Sequence, residues 1–325
     1  MTTDTETIAT TASPSVQARA YRHLFVPDVS YKLLLAIDND DNAPAALRIT
    51  AALALRGAHP TVLRTLELMA PVPGATAADT SFVYAQAVLG EEFYRDQEKI
   101  IRRKIRNILG KEPHWPIKAV PGGPASTIVY EAEQYNADLL LMGIHHHGAF
   151  AQALGENTAT RVMAKAAMPV LGIRPGTKRL PRRVMVATDF GNASWETAHI
   201  AANLVDPGGL VILAHVALPF PVVEEGDEGA ALVQAEGIER IFERLTREIQ
   251  IGKSIRVETV TRTGEPGREL LSLAEQVAPD MIATARQRHG LLSRIMLGSV
   301  SRKLVRDGNW SMLITPPALF ASERT

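Results

Sequence analysis

The sequence predicts an α/β protein of two tandem units, each a parallel sheet with helices on both faces. Three observations predict it. Short apolar runs of strand length alternate with helical stretches along nearly the whole chain, the pattern of successive βαβ units. The second half repeats the first at a constant offset: Gly122 with Gly264, Pro124 with Pro266, Ala132-Glu133 with Ala274-Glu275, Asp138 with Asp280, Gly148 with Gly290, Leu171 with Leu313 and Pro175 with Pro317, every pair 142 positions apart. The length, 325 residues, gives each half room for its own core.

Taken in order, residues 1–28 open on a polar, Thr- and Ala-rich stretch without the basic and apolar regions of a secretory signal, and are expected to be a disordered tail. Residues 31–37 form an apolar run, the mark of a strand buried on both faces. Asp38 closes it, and residues 39–42 carry turn and helix-cap chemistry. Residues 43–56, rich in Ala and Leu, form a helix stopped by Gly57. A second strand lies near 61–68. A long helical pattern then ends at Gly110, with Ile101, Ile105 and Ile108 on one face. Strand 115–120, helix 125–135, strand 139–143, helix 158–167 and strand 169–173 complete the first half.

The second half follows the same plan: strand 183–188 closed by Asp189, helix 193–205, strand 210–216, helix 229–249, strand 255–261, helix 265–277, strand 281–285, helix 298–306 and strand 312–315. Pro, Gly and basic residues between 174 and 181 mark a linker. The expected division is a tail to residue 28, a domain over 29–175, a linker over 176–181, a second domain over 182–318 and a short tail over 319–325.

Composition excludes several functions. Hydrophobic residues make up 46% and charged residues 22%, values of a soluble globular chain. The formal net charge is zero, so no global field attracts nucleic acid or an anionic membrane. No cysteine is present, which removes disulfides, thiolate catalysis and cysteine-held metal and fits a reducing cytoplasm. No apolar run approaches the ~20 residues of a membrane span. The chain is therefore expected in the cytoplasm, with neither nucleic acid nor membrane as partner.

Asp280-Met-Ile-Ala, Gly290-Leu and Leu297-Gly298-Ser299-Val300-Ser301-Arg302-Lys303-Leu304 resemble the C-terminal signature of the universal stress protein family. So do Val186-Ala187-Thr188-Asp189-Phe190 and Gly264-Glu265-Pro266. In the first half the resemblance rests on Ala36-Ile37-Asp38, Gly122-Gly123-Pro124 and residues 137–145. It covers about residues 30–175 and 182–317, so the chain resembles a tandem universal stress protein. The resemblance implies two Rossmann-like five-stranded parallel sheets of order 3-2-1-4-5. A ligand crevice then lies at the carboxyl ends of strands 1 and 4, where the strand order reverses. It also implies that the halves pair through their last strands, residues 169–173 against 312–315, as a pseudo-dimer; a homodimer of two such chains is a separate expectation.

Family members that bind ATP carry Gly-x2-Gly-x9-Gly followed by Ser or Thr. Such glycines let backbone N–H groups approach ribose and phosphate, and the last one opens a helix whose start favours anions. In the second half these positions fall at Ala285, Arg288 and Gly298, followed by Ser299 and Val300, with Thr188 and Asp189 across the crevice. In the first half they fall at Gly143, His146 and Glu156, followed by Asn157, with Asp38 opposite. Glu156 sets a carboxylate where phosphates would sit, so the first half is expected to be empty of nucleotide. Arg288 binds phosphate, fills the crevice or lies on a solvated loop; Asp189 holds a polar group of the nucleotide or caps the next helix.

Three other features have simple readings. His145-His146-His147 alternate sides of an extended segment and have no acidic or Cys partner at ligand spacing, so no metal site is expected. The basic residues of 95–106 are interleaved with Asp96 and Glu98 and make a solvated helix face. The acidic cluster at 224–228 is an exposed loop. With no nucleophile–base constellation and no Walker loop, the leading expectation is a non-enzymatic cytoplasmic stress-response module that acts through an unidentified protein partner, its nucleotide site degenerate in domain 1 and partly kept in domain 2. The alternatives are a switch that holds ATP in domain 2 only, and a slow ATPase.

Overall fold

The computed structural model describes residues 21–26, 28–37, 43–66, 79–144, 158–218, 228–286 and 297–317, with 79–89 and 228–234 described as backbone only. The first half runs β1 (Tyr31–Ile37), α1 (Ala43–Ala54), β2 (Ala58–Leu66), α2 (Asp79–Leu109), β3 (Ile117–Pro121), α3 (Pro124–Gln134), β4 (Leu139–Gly143), α4 (Thr158–Lys165) and β5 (Val170–Ile173). The second half runs β6 (Arg183–Ala187), α5 (Asn192–Leu204), β7 (Leu210–Ala217), α6 (Glu228–Gln250), β8 (Arg256–Thr263), α7 (Pro266–Val277), β9 (Met281–Ala285), α8 (Ser299–Asp307) and β10 (Ser311–Thr315).

Each half is a Rossmann-like parallel sheet of order 3-2-1-4-5. The two form one ten-stranded sheet, β3-β2-β1-β4-β5-β10-β9-β6-β7-β8. The central strands are apolar on both faces because helices cover both. Leu33, Leu35, Leu139, Leu140 and Leu141 in the first half and Val184, Met185, Val186 and Ile282 in the second are fully buried. The seam is antiparallel, with Met312 opposite Gly172, Leu313 opposite Leu171 and Ile314 opposite Val170. Leu171 and Leu313 are equivalent positions of the repeat, so a local pseudo-two-fold axis passes through that pair.

Several repeated residues hold the frame. Gly122 (φ 141°) and Gly264 (φ 145°) both take a backbone conformation that a side chain would strain, and each turns the chain into a helix whose first residue is proline. Glu265 caps α7, accepting from the N–H groups of Gly267 and Arg268 at 3.0 and 2.7 Å. These two donors hold its carboxyl below the usual range. Asp138 accepts from the N–H of Lys32 at 2.8 Å, and Asp280 accepts from those of Arg182 and Arg183 at 2.8 and 2.9 Å. Each aspartate thus ties the start of the fourth strand of its half to the start of the first.

Two expectations need correction. The long helix α2 is broken at Gly90 (φ 62°, ψ 163°), so it is two helical segments across a bend. The segment expected as tail is packed where it is described. Leu24 and Phe25 are fully buried, and the Phe25 ring meets the edge of Tyr31 at 5.9 Å. The backbone N–H of Tyr21 donates to Glu196 on α5, while its hydroxyl donates to the carbonyl of Ala167 in the first half. Asn203 of α5 donates to the carbonyls of Arg22 and Leu24. The reason is local: the polar composition ends near residue 20, and Tyr21, Leu24 and Phe25 supply apolar surface that gains by burial.

Candidate functional site

A cavity of about 520 Å³ opens in the second half at the carboxyl ends of β6, β7 and β9, where the strand order reverses. Thr188, Asp189, Ala285, Gly298, Ser299 and Val300 all line it. Arg288 lies outside the described residues, as do Asp38, His146, Glu156, Asn157 and the histidine run at 145–147. Gly143 is the last residue of β4.

One wall is the turn after β6. The Asp189 carboxylate accepts from the N–H of Gly191 at 2.9 Å and from the hydroxyl of Ser194 at 2.7 Å, so it shapes the entry into α5 while standing exposed at the rim. The Thr188 hydroxyl oxygen accepts from the N–H of Phe190 at 3.0 Å and lies 3.0 Å from that of Ser194. Phe190 takes φ 62°, which turns its ring onto the His215 ring at 4.4 Å. His215 lines the cavity with Nδ1 2.9 Å from the carbonyl of Thr188. The acceptor assigns the proton to Nδ1 and leaves Nε2 as the other polar atom of the ring.

The opposite wall is the start of α8. Gly298 is its N-cap and no side chain among the described residues caps the helix, so its first N–H groups and its dipole face the cavity. A Cβ on Gly298 would meet no described residue within 4 Å. Ser301, one turn in, donates to the carbonyl of Ala285 at 3.1 Å and sits 3.2 Å from the Thr284 hydroxyl, which pins α8 to the end of β9.

The floor carries Arg286, which is 1% exposed. Its guanidinium donates to the carbonyl of Ala164 at 2.6 Å and to that of Ala166, at the carboxyl end of α4 in the other half. Its Nε has no partner among the described residues. Burial pulls its pKa down to about 10, with Tyr21 opposing, so it remains a cation at neutral pH. Sequence reasoning did not single out Arg286, His215, Ser194 or Ser301. A Ser-x-Ser at the helix start was the visible signal for Ser301; a lone histidine on a strand gives none.

The hydroxyls of Thr188, Ser194, Thr284 and Ser301 bond to one another, to Asp189 and to backbone carbonyls. None of these bonds is to a histidine or lysine that would activate it as a nucleophile. Among the described residues no group of three or more His, Cys, Asp or Glu could hold a metal ion, and no helix is long and apolar enough to cross a membrane.

The sequence model of the universal stress protein family matches residues 31–174 and again residues 181–316. A universal stress protein of Methanocaldococcus jannaschii is 25% identical over 148 residues, which is 44% of this chain and 85% of that protein. Among solved structures, a universal stress protein from Archaeoglobus fulgidus superposes with a TM-score of 0.58 at 20% identity, covering 91% of this chain and 98% of that one. A putative universal stress protein from Pseudomonas aeruginosa gives 0.54 at 15% identity, covering 92% and 96%. These two structures share the fold across both halves.

Proposed function

We propose that this chain, which belongs to the universal stress protein family, is a cytoplasmic stress-response module that binds one adenine nucleotide, in its second half, and does no chemistry on it. The observation that supports this reading is the open cavity between the turn at Asp189 and the uncapped start of α8. A helix start with free N–H groups attracts phosphate oxygens. Gly298, Ser299 and Val300 would supply them, Ala285 is small enough to admit the chain of phosphates past β9, and the rim carboxylate of Asp189 suits a ribose hydroxyl. Arg286 adds positive potential from beneath. The hydroxyls of Thr188, Ser194, Thr284 and Ser301 are engaged in structural bonds, which supports binding without hydrolysis. The nucleotide would then set the shape offered to a protein partner. A chain that failed to bind it would have to act through such a partner alone, the other reading the sequence favours.

Gly298→Glu tests this reading by placing in the second half the carboxylate that Glu156 brings to the first. The substitution meets no described residue, and an acidic residue at a helix start is favourable to the helix, so the unliganded melting temperature should hold. A carboxylate ~4 Å from phosphate costs about 1 kcal/mol in water and about 4 kcal/mol at a partly buried site. In thermal unfolding with ATP and Mg²⁺, the wild-type chain should melt higher and Gly298→Glu should not shift. A wild-type chain that ignores millimolar ATP would contradict nucleotide binding, and phosphate release above blank would contradict the absence of catalysis.

A further inference from the structure

The two ends of the ten-stranded sheet are built differently. At one end β3 has five residues, is preceded by Pro116 and ends on Pro121. Short length and proline are the usual protections of a sheet edge. At the other end β8 has eight residues, Arg256-Val-Glu-Thr-Val-Thr-Arg-Thr263, and no proline. Among the described residues no strand pairs with its outer side.

Which backbone groups face outward follows from the register. β8 runs parallel to β7. At its two ends, the N–H of Arg256 donates to Gly209 and that of Gly264 to Ala217, at 2.9 and 3.1 Å. In a parallel ladder alternate residues bond to opposite neighbours. The even-numbered residues therefore bond to β7, while Val257, Thr259, Thr261 and Thr263 hold their N–H and C=O groups out.

The side chains then select one pairing. An antiparallel second β8 centred on Val260 sets Val260 opposite its own copy and Thr259 opposite Thr261. It sets Val257 opposite Thr263 and Glu258 opposite Arg262. All outward-facing residues meet outward-facing residues, so the odd positions form the hydrogen-bonded pairs. Glu258 and Arg262 fall at non-hydrogen-bonded pairs, where side chains approach most closely. The two-fold makes that opposite-charge pair twice. Arg262 is already extended along the α7 side of the strand, where it donates to Gln276 at 2.6 Å. We propose that β8 is a self-complementary docking edge at which a second copy of this chain adds, joining two ten-stranded sheets across a two-fold axis at Val260.

Analytical ultracentrifugation of the full chain over a wide concentration range, with melting temperature as the check on folding, tests this. The wild type should dimerise. Glu258→Arg and Arg262→Glu each turn both attractive pairs into like-charge pairs and should weaken the dimer on the order of tenfold or more. The double charge swap should restore it. Thr261→Pro removes an outward N–H that β7 does not use and should also weaken the dimer. A monomer at all concentrations overturns the proposal. So does a dimer that the single variants leave unchanged, that the swap fails to restore, or that Thr261→Pro does not affect.

Discussion

Phe25→Ala is expected to destabilise the chain by about 3 to 5 kcal/mol, the range for emptying a fully buried phenylalanine site. Phe25 lies in a segment whose composition suggested a tail, so a sequence-based estimate would make the substitution nearly neutral. Its burial is complete, and its ring packs edge-on against Tyr31 at the first residue of β1. The neighbouring backbone carbonyls of Arg22 and Leu24 accept from Asn203, which fixes the segment and limits collapse into the space left. At 2 to 4 °C per kcal/mol for domains of this size, the fall in melting temperature should be about 10 °C. Calorimetry of the two proteins measures it. A fall of only a degree or two would mean that residues 21–26 contribute little to the fold.

Arg286→Met should cost about 2 to 4 kcal/mol. The substitution nearly conserves volume and removes a buried cation, and an apolar replacement for a buried charge is in some proteins neutral or stabilising. Here the partners decide otherwise. The guanidinium bonds to backbone carbonyls at the end of α4, which cannot be removed with it. Charge-assisted bonds of this kind contribute about 1.5 to 3 kcal/mol each, and leaving a buried acceptor unsatisfied costs about as much as one of them. Arg286→Lys should fall between, since an ammonium cannot span two carbonyls as the planar fork does. Thermal unfolding of the three proteins orders them Arg, Lys, Met. A methionine variant as stable as wild type would show that the carbonyls find other donors. Because Arg286 also lines the cavity, the Met variant should bind nucleotide more weakly as well as melt lower.

How much of this was legible in the sequence depends on where each residue finds its partners. Strands 31–37, 139–143 and 281–285 were readable to the residue, because a run apolar on both faces has few alternatives in a parallel sheet. The Gly-x-Pro turns were readable because the repeat displayed them twice. Gly298 and Ser299 stood out for the same reason, against Glu156 and Asn157 at the matching positions. Arg286 was not legible. Beside Arg288 and His289 it reads as part of a solvated basic loop, and its true partners, the carbonyls of Ala164 and Ala166, lie across the seam in the other half. Its counterpart in the repeat is Ile144, buried against Gly172, so the same position is apolar in one half and cationic in the other. That difference was visible in the sequence, but its meaning came only with the seam. Phe25 was hidden by its surroundings, since a few apolar residues after a polar run carry no periodicity.

The repeat thus preserved Asp138 and Asp280, the glycine turns and the strands of the seam, while Gly143, His146, Glu156 and Asn157 differ in the sequence from Ala285, Arg288, Gly298 and Ser299. Calorimetric titration of the full chain with ATP and Mg²⁺ tests that account most directly, because it counts sites. One nucleotide per chain is the predicted result, with the heat abolished in Gly298→Glu. Two per chain, or none, would contradict it.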